Sequence, residues 1–167
     1  MESEFDNVLF LDIDGVLNSG PWLALETENS EEFHSRTDIC QGTKDMDPEA
    51  VGRLQRIVDA TGAKIVLSSS WRYLYQPKKF MELLRAHGFV GDLIGATPLS
   101  EDVPGRKCRG DEVAMWLEEN SFLDIKRFVI LDDAESFGDL EHRLVRTNFE
   151  CGLTDENVKS AIALFES

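Results

Sequence analysis

The chain has 167 residues, 32 of them Asp or Glu against 17 Lys or Arg, so its net charge is 17 − 32 = −15. That charge disfavours nonspecific adhesion to nucleic acid or to an anionic membrane, and no apolar run approaches the roughly 18 residues that cross a bilayer. With 42% hydrophobic content, residues 1–167 are expected to form one soluble, cytoplasmic domain with a full core. Cys40, Cys108 and Cys151 are widely spaced and odd in number, which argues against a disulfide framework and a zinc site and for free thiols in a reducing compartment.

Val8 to Asn18 reads Val-Leu-Phe-Leu-Asp-Ile-Asp-Gly-Val-Leu-Asn: four apolar residues run into two carboxylates spaced i, i+2 and then a glycine. The pattern predicts a buried strand ending in an acidic turn. Carboxylates at that spacing share one face while the strand lasts. Gly15 lets the chain leave it, so that the Asp12 carboxylate lies beside the Asp14 backbone carbonyl while the Asp14 side chain swings clear to handle protons. Acids this close repel and desolvate each other unless a proton or cation sits between them. Mg²⁺, which takes oxygen ligands and retains water, suits such a site.

Ser19 to Asp45 is polar and acidic, and predicts a long loop or flap, an insertion at about 19–46. Asp47-Pro48-Glu49 gives a cap, a proline and an acid for a helix ending at Gly62. Lys64 to Ser69 predicts a second strand running into Ser68-Ser69-Ser70 and Trp71-Arg72. A helix from Pro77 to about His87, a short strand at Asp92–Gly95, a loop over Leu99–Cys108 and a helix from Gly110 to about Asn120 follow. Arg127–Leu131 is a strand closed by Asp132-Asp133; Leu144–Phe149 is another, and Thr154 caps a final helix to about Phe165. His34, His87 and His142 show no ligand spacing. Trp116 reads as core, whereas Trp22 lies beyond the first acidic turn and Trp71 beside the serine run, where a ring can stack on a base or sugar.

Strands alternating with helices predict an α/β fold: a three-layer, Rossmann-like parallel sheet with helices on both faces. Ligands bind such sheets beyond the carboxyl ends of the strands. Asp12, Ser68 and Asp133 all stand there.

These segments carry a resemblance. The order Asp-x-Asp-Gly, serine at a strand end, basic residue before a helix, and acidic pair closing a strand resembles the haloacid dehalogenase-like (HAD) phosphohydrolase superfamily. Leu11-Asp12-Ile13-Asp14-Gly15-Val16-Leu17-Asn18, Ser69-Ser70-Trp71-Arg72, Thr97-Pro98, Arg109-Gly110-Asp111-Glu112-Val113, Leu131-Asp132-Asp133 and Gly152-Leu153-Thr154 are most similar to the HAD domains of Swiss army knife RNA-repair proteins, over residues 8 to about 160. The resemblance implies a Mg²⁺-dependent phosphatase in which Asp12 forms an aspartyl-phosphate and Asp14 acts as acid and then base. Asp12, Asp14 and Asp133 would hold the ion, with Asp132 tuning it or bridging through water. Ser68 would bond a phosphoryl oxygen, although three consecutive serines leave Ser69 open as the alternative.

Arg109 stands where the family usually has lysine, 132 − 109 = 23 residues before Asp132, and Lys107 is the alternative cation. Gly15 and Arg72 would face the substrate, Arg72 either reaching a second phosphate or pairing with a flap acid. The insertion is too short for a sizeable cap, so the crevice is expected to be open. That fits a protruding phosphate, such as an RNA or DNA end. Small phosphometabolites, phosphoproteins and a noncatalytic or phosphoacceptor module are the other readings.

Overall fold

In the computed structural model, which describes residues 5–29, 46–73 and 75–167, five strands form one parallel sheet in the order β3-β2-β1-β4-β5. They are β1 (Asn7–Leu11), β2 (Lys64–Leu67), β3 (Leu93–Ala96), β4 (Arg127–Asp132) and β5 (Leu144–Arg146). The helices are α1 (Gly20–Asn29), α2 (Pro48–Thr61), α3 (Pro77–Ala86), α4 (Arg109–Glu119) and α5 (Asp155–Glu166).

Because β1 is central and apolar on both faces, alternate residues feed two cores. Leu9 and Leu11 join Ile65, Leu67, Val129 and Leu131 beneath Leu54, Ile57, Phe80, Leu84, Val158 and Ala161 of α2, α3 and α5. Val8 and Phe10 join Val66 and Ile130 on the opposite face, under Val113 and Trp116 of α4. Trp116 is therefore core, and its ring meets Phe10 edge-on at 5.4 Å. Each such buried side chain contributes about 1.5–3 kcal/mol.

Local signals set the helix ends. The Asp47 side chain accepts from the Glu49 amide at 2.9 Å, and Gly62 closes α2 in the left-handed conformation at φ 65°. Thr154 and Asn157 cap α5 reciprocally. His87 follows the last turn of α3, and His142 Nδ1 lies 2.9 Å from the Asp139 carbonyl.

Two expectations are corrected. The start of the flap is helical: Ser19 Oγ accepts from the Trp22 amide at 3.2 Å, and α1 follows through a sequence of good helix formers, Leu, Ala and Glu. The remainder of that insertion, with His34 and Cys40, lies outside the described residues. The final strand stops at Arg146 instead of Phe149, because Asn148 Oδ1 accepts from the Glu150 amide and the chain turns back to bridge Asn148 with Gly152. Among the described residues Cys108 and Cys151 are free, and no helix is long and apolar enough to cross a membrane.

Candidate active site

The strand order reverses at β1, with β2 and β3 on one side and β4 and β5 on the other. Parallel register pairs Leu11 with both Leu67 and Leu131. The next residues therefore leave the sheet side by side: Asp12 beside Ser68 on one flank and Asp132 on the other. The Asp12 amide still bonds the Leu131 carbonyl at 3.0 Å, and the Ser68 amide bonds the Leu11 carbonyl at 2.9 Å.

Beyond Asp12 the chain closes a tight turn, the Ile13 carbonyl accepting from the amides of Val16, Leu17 and Asn18. Gly15 adopts φ 79° within it. A Cβ there would collide with the Asp133 carboxylate, so glycine is required both by the backbone and by the close approach of the second acidic strand end. Asp12, Asp132 and Asp133 each present an oxygen within 4.8 Å of the others. Three oxygen donors at the mouth of a crevice fit a hard divalent cation.

Arg109 is the cation of this cluster. Its guanidinium lies 3.1 Å from Asp12 Oδ1 and 3.2 Å from Asp132 Oδ2. Gly110 brings it there: a Cβ at this position would strike the Phe137 carbonyl, so the amino end of α4 can pack directly against the chain beyond β4. No such contact places Lys107 among the acids. That side chain is exposed and borders a shallow surface depression with Val103, Pro104 and Met115.

One guanidinium does not balance three acids. Asp12, 6% exposed, has its carboxyl pushed up to about 7 by burial first and by the Asp132 charge second, against the opposing pull of Arg109, the Ile13 amide and the Ser69 hydroxyl. Burial, with the Asp133 charge, also raises Asp132, and burial with the Asp14 charge raises Asp133. Arg109 is raised in turn: its burial works the other way, but Asp12 and Asp132 outweigh it.

Within the acidic pair the two residues differ. Asp132 is fully buried, with one oxygen taking Arg109 and the other accepting from the Ala134 amide at 2.8 Å. Asp133 is partly exposed beside Gly15. The Asp14 carboxylate turns to β2's side of the crevice, where Trp71 Nε1 donates to its Oδ2 at 3.0 Å.

The serines divide. The Ser69 hydroxyl donates to Asp12, whereas Ser68 Oγ is buried without a hydrogen-bond partner. Arg72 turns away from the acids. Its guanidinium bonds Glu112 Oε2 at 2.6 Å and the carbonyls of Ser69 and Pro98, so it fixes the serine turn to α4. Its partner is an acid of α4, where the sequence offered a second phosphate or a flap acid. The pairing spans 40 residues and has no local signal. Trp71 is 8% exposed and packs its ring on Tyr75, which leaves no open face for a base. Its bond to Asp14 was not foreseen, although a Trp directly beyond a strand-terminal serine was the available hint.

A parallel sheet bearing an acid cluster at the carboxyl ends of β1 and β4, with a serine turn at the end of β2, defines a HAD-like α/β protein. The family model for the HAD domain in Swiss Army Knife RNA repair proteins matches residues 8–158, and the chain belongs to that family. Membership supports a HAD-type phosphohydrolase in general. No curated protein and no solved structure matches the chain significantly.

Proposed function

We propose that the protein is a Mg²⁺-dependent phosphomonoesterase that works through an aspartyl-phosphate on Asp12 and acts on phosphorylated nucleic-acid ends. The observation that carries this reading is the acid cluster itself: a buried aspartate between a fixed arginine and two further acids, at the carboxyl ends of adjacent strands.

Asp12, Asp133 and the Asp14 backbone carbonyl would hold the ion, with Asp132 steadied by Arg109 behind them. When bound, Mg²⁺ supplies positive charge against the phosphoryl oxygens and the crowded carboxylates. An Asp12 oxygen attacks phosphorus, and the bond from phosphorus to the leaving oxygen breaks as Asp14 delivers a proton to that oxygen. Asp14 then takes a proton from the water that attacks phosphorus, and the bond to Asp12 breaks, releasing phosphate. Arg109 offsets charge on the phosphoryl oxygens in both steps. Ser68 Oγ, buried and without a hydrogen-bond partner, would bond one of them, while the Ser69 hydroxyl is engaged with Asp12.

The family's association with RNA repair favours nucleic-acid termini. The net charge of −15 opposes long-range attraction to a polyanion, so an end held mainly by its terminal phosphate suits the protein better than an extended duplex. Free thiols at Cys108 and Cys151 fit a cytoplasmic setting.

A phosphate-release screen with Mg²⁺ across oligonucleotides bearing 3′ or 5′ phosphates, sugar phosphates and phosphopeptides tests the reading. Asp12→Asn should abolish release, a loss of at least about a thousandfold for a removed nucleophile. Turnover by Asp12→Asn would overturn the mechanism. Equal or faster release from sugar phosphates would overturn the nucleic-acid assignment alone.

A further inference from the structure

We propose that Trp71 is a positioning residue that holds both catalytic aspartates at once, and that its indole N–H decides which oxygen of Asp14 carries the transferred proton. The proposal rests on the roles given above to Asp12 and Asp14.

Two bonds leave Trp71 in different directions. Its backbone amide donates to Ser69 Oγ at 3.3 Å, and that hydroxyl donates to the Asp12 carboxylate. Its indole Nε1 donates to Asp14 Oδ2 at 3.0 Å, across 57 residues of sequence. The residue bridging the two aspartates is itself buried and packed. It sits in a short 3₁₀ turn, Ser70–Tyr73, and is packed in the main core with Tyr75 against its ring at 5.9 Å. The turn is pinned from its other side by Arg72, whose side chain is 4% exposed and bonded to Glu112.

The chemistry explains why a tryptophan serves here. An indole N–H donates and cannot accept, so it orients a carboxyl group without competing for its proton. With Oδ2 engaged by that donor, Asp14 carries its proton on Oδ1. This is the oxygen left free to face the leaving group and then the attacking water. Without the donor, a carboxyl on a turn followed by glycine can rotate, and reactivity falls steeply with small misplacements of a reacting group.

A loss of proton delivery depends on the leaving group, whereas a loss of packing does not. The test therefore compares an unactivated alkyl phosphate, whose departing oxygen must be protonated, with p-nitrophenyl phosphate, whose leaving group departs as the anion. Because kcat/KM reports the first phosphoryl transfer, Trp71→Phe should lower it about ten- to a hundredfold on the alkyl ester, part of the 10²–10⁴ that general acid catalysis supplies, and less than about threefold on the aryl ester. Added to Asp14→Asn, Trp71→Phe should change the alkyl rate little further, since both act through one group. Trp71→Met, which fills irregular apolar space, replaces Trp71→Phe if the latter does not fold.

Equal losses on the two esters, or none on either, would overturn the positioning role while leaving the phosphohydrolase reading in place. A wild-type protein that cleaves neither ester, or an Asp12→Asn protein that cleaves both, would overturn the phosphohydrolase reading and this inference together.

Discussion

Two buried clusters of carboxylate and guanidinium meet at the first turn of α4, one around Arg109 and the other around Glu112, and they differ in their balance of charge. Around Glu112, one fully buried acid accepts from Arg72, from Arg106 at 2.6 Å and from the Ser100 hydroxyl at 2.7 Å. Burial alone would push its carboxyl up. The hydrogen bonds from Ser100 and Arg106 and the charges of Arg72 and Arg109 overcome that, and the net shift is downward. Around Arg109 the proportions are reversed, with three acids to one cation, and every acid of the trio is pushed up. A cluster whose single acid is met by two guanidiniums is already satisfied and works as a clamp. A cluster with acid in excess gains most from an added cation, and that excess sets the proposed site apart.

The largest break in the comparison comes from unbalancing the clamp. Glu112→Gln leaves Arg72 buried beside a neutral amide, and removal of one partner from a buried pair costs about 3–5 kcal/mol. Urea unfolding should read that loss, with the slope against denaturant unchanged. Since Arg72 also bonds the Ser69 carbonyl, the serine turn loosens with it and phosphate release should fall as well. An unchanged unfolding midpoint would mean that Glu112 is not the lock between the serine turn and α4.

Proton linkage separates the clusters more finely, because their signs are opposite. Asp12 has a folded value of about 7 against 3.8 in an unfolded chain, so the folded state retains its proton where the unfolded chain has released it. Its contribution to stability therefore declines as pH rises from about 4 to 7, by an amount on the order of a few kcal/mol. Glu112 is lowered, so its contribution is present above its unfolded value near 4.5 and is lost only as pH falls below that. Melting followed from pH 4 to 7 without divalent ions should show the Asp12 decline. Asp12→Asn should reduce it, leaving the share that the raised Asp132 and Asp133 contribute, and millimolar Mg²⁺ should reverse it most strongly at the upper end, because binding displaces the proton. A Mg²⁺ effect equal at pH 5 and pH 7 would dissociate the ion from Asp12.

This contrast was half visible in the amino-acid sequence. The acid-rich cluster announces itself because its members are local signals: apolar runs that stop at Asp12 and at Asp132-Asp133, with Gly15 marking the turn. The parallel sheet follows from the same alternation. Glu112, Arg72 and Arg106 carry no such signal, since each is an ordinary charged residue in a helix or loop and their pairing depends on how α4 lies across the sheet. Trp71 was legible as a residue near the site but not as a donor to Asp14, because the direction of an indole N–H is set by packing. The choice between Arg109 and Lys107, open in the sequence, turns on Gly110 and its contact with Phe137, a backbone approach that no periodicity reports. The helix α1 was hidden for a different reason: it opens the stretch Ser19–Asp45, which taken as a whole is polar and acidic and reads as loop, and its cap at Ser19 comes directly after the acidic turn.

The smallest perturbation bears on what keeps the acids in excess. Gly15→Ala introduces one methyl group where the backbone is left-handed at φ 79° and where Asp133 lies against the glycine. The conformational strain costs about 1–3 kcal/mol, a shift that thermal melting detects. The local consequence is more informative, for the methyl group displaces the Asp133 carboxylate from Asp12 and Asp132, and the trio becomes a pair. Mg²⁺ affinity, measured by calorimetry, should fall about tenfold or more if Asp133 is a direct ligand, as it does when an outer partner of a metal site is lost. Ion-free Gly15→Ala should also show a weaker pH-dependent decline than the parent, because Asp133 adds to the charge that burdens Asp132 and, through it, Asp12. Full retention of Mg²⁺ affinity in a folded Gly15→Ala protein would move the ligand role from Asp133 to Asp132 and make the glycine a requirement of the turn alone.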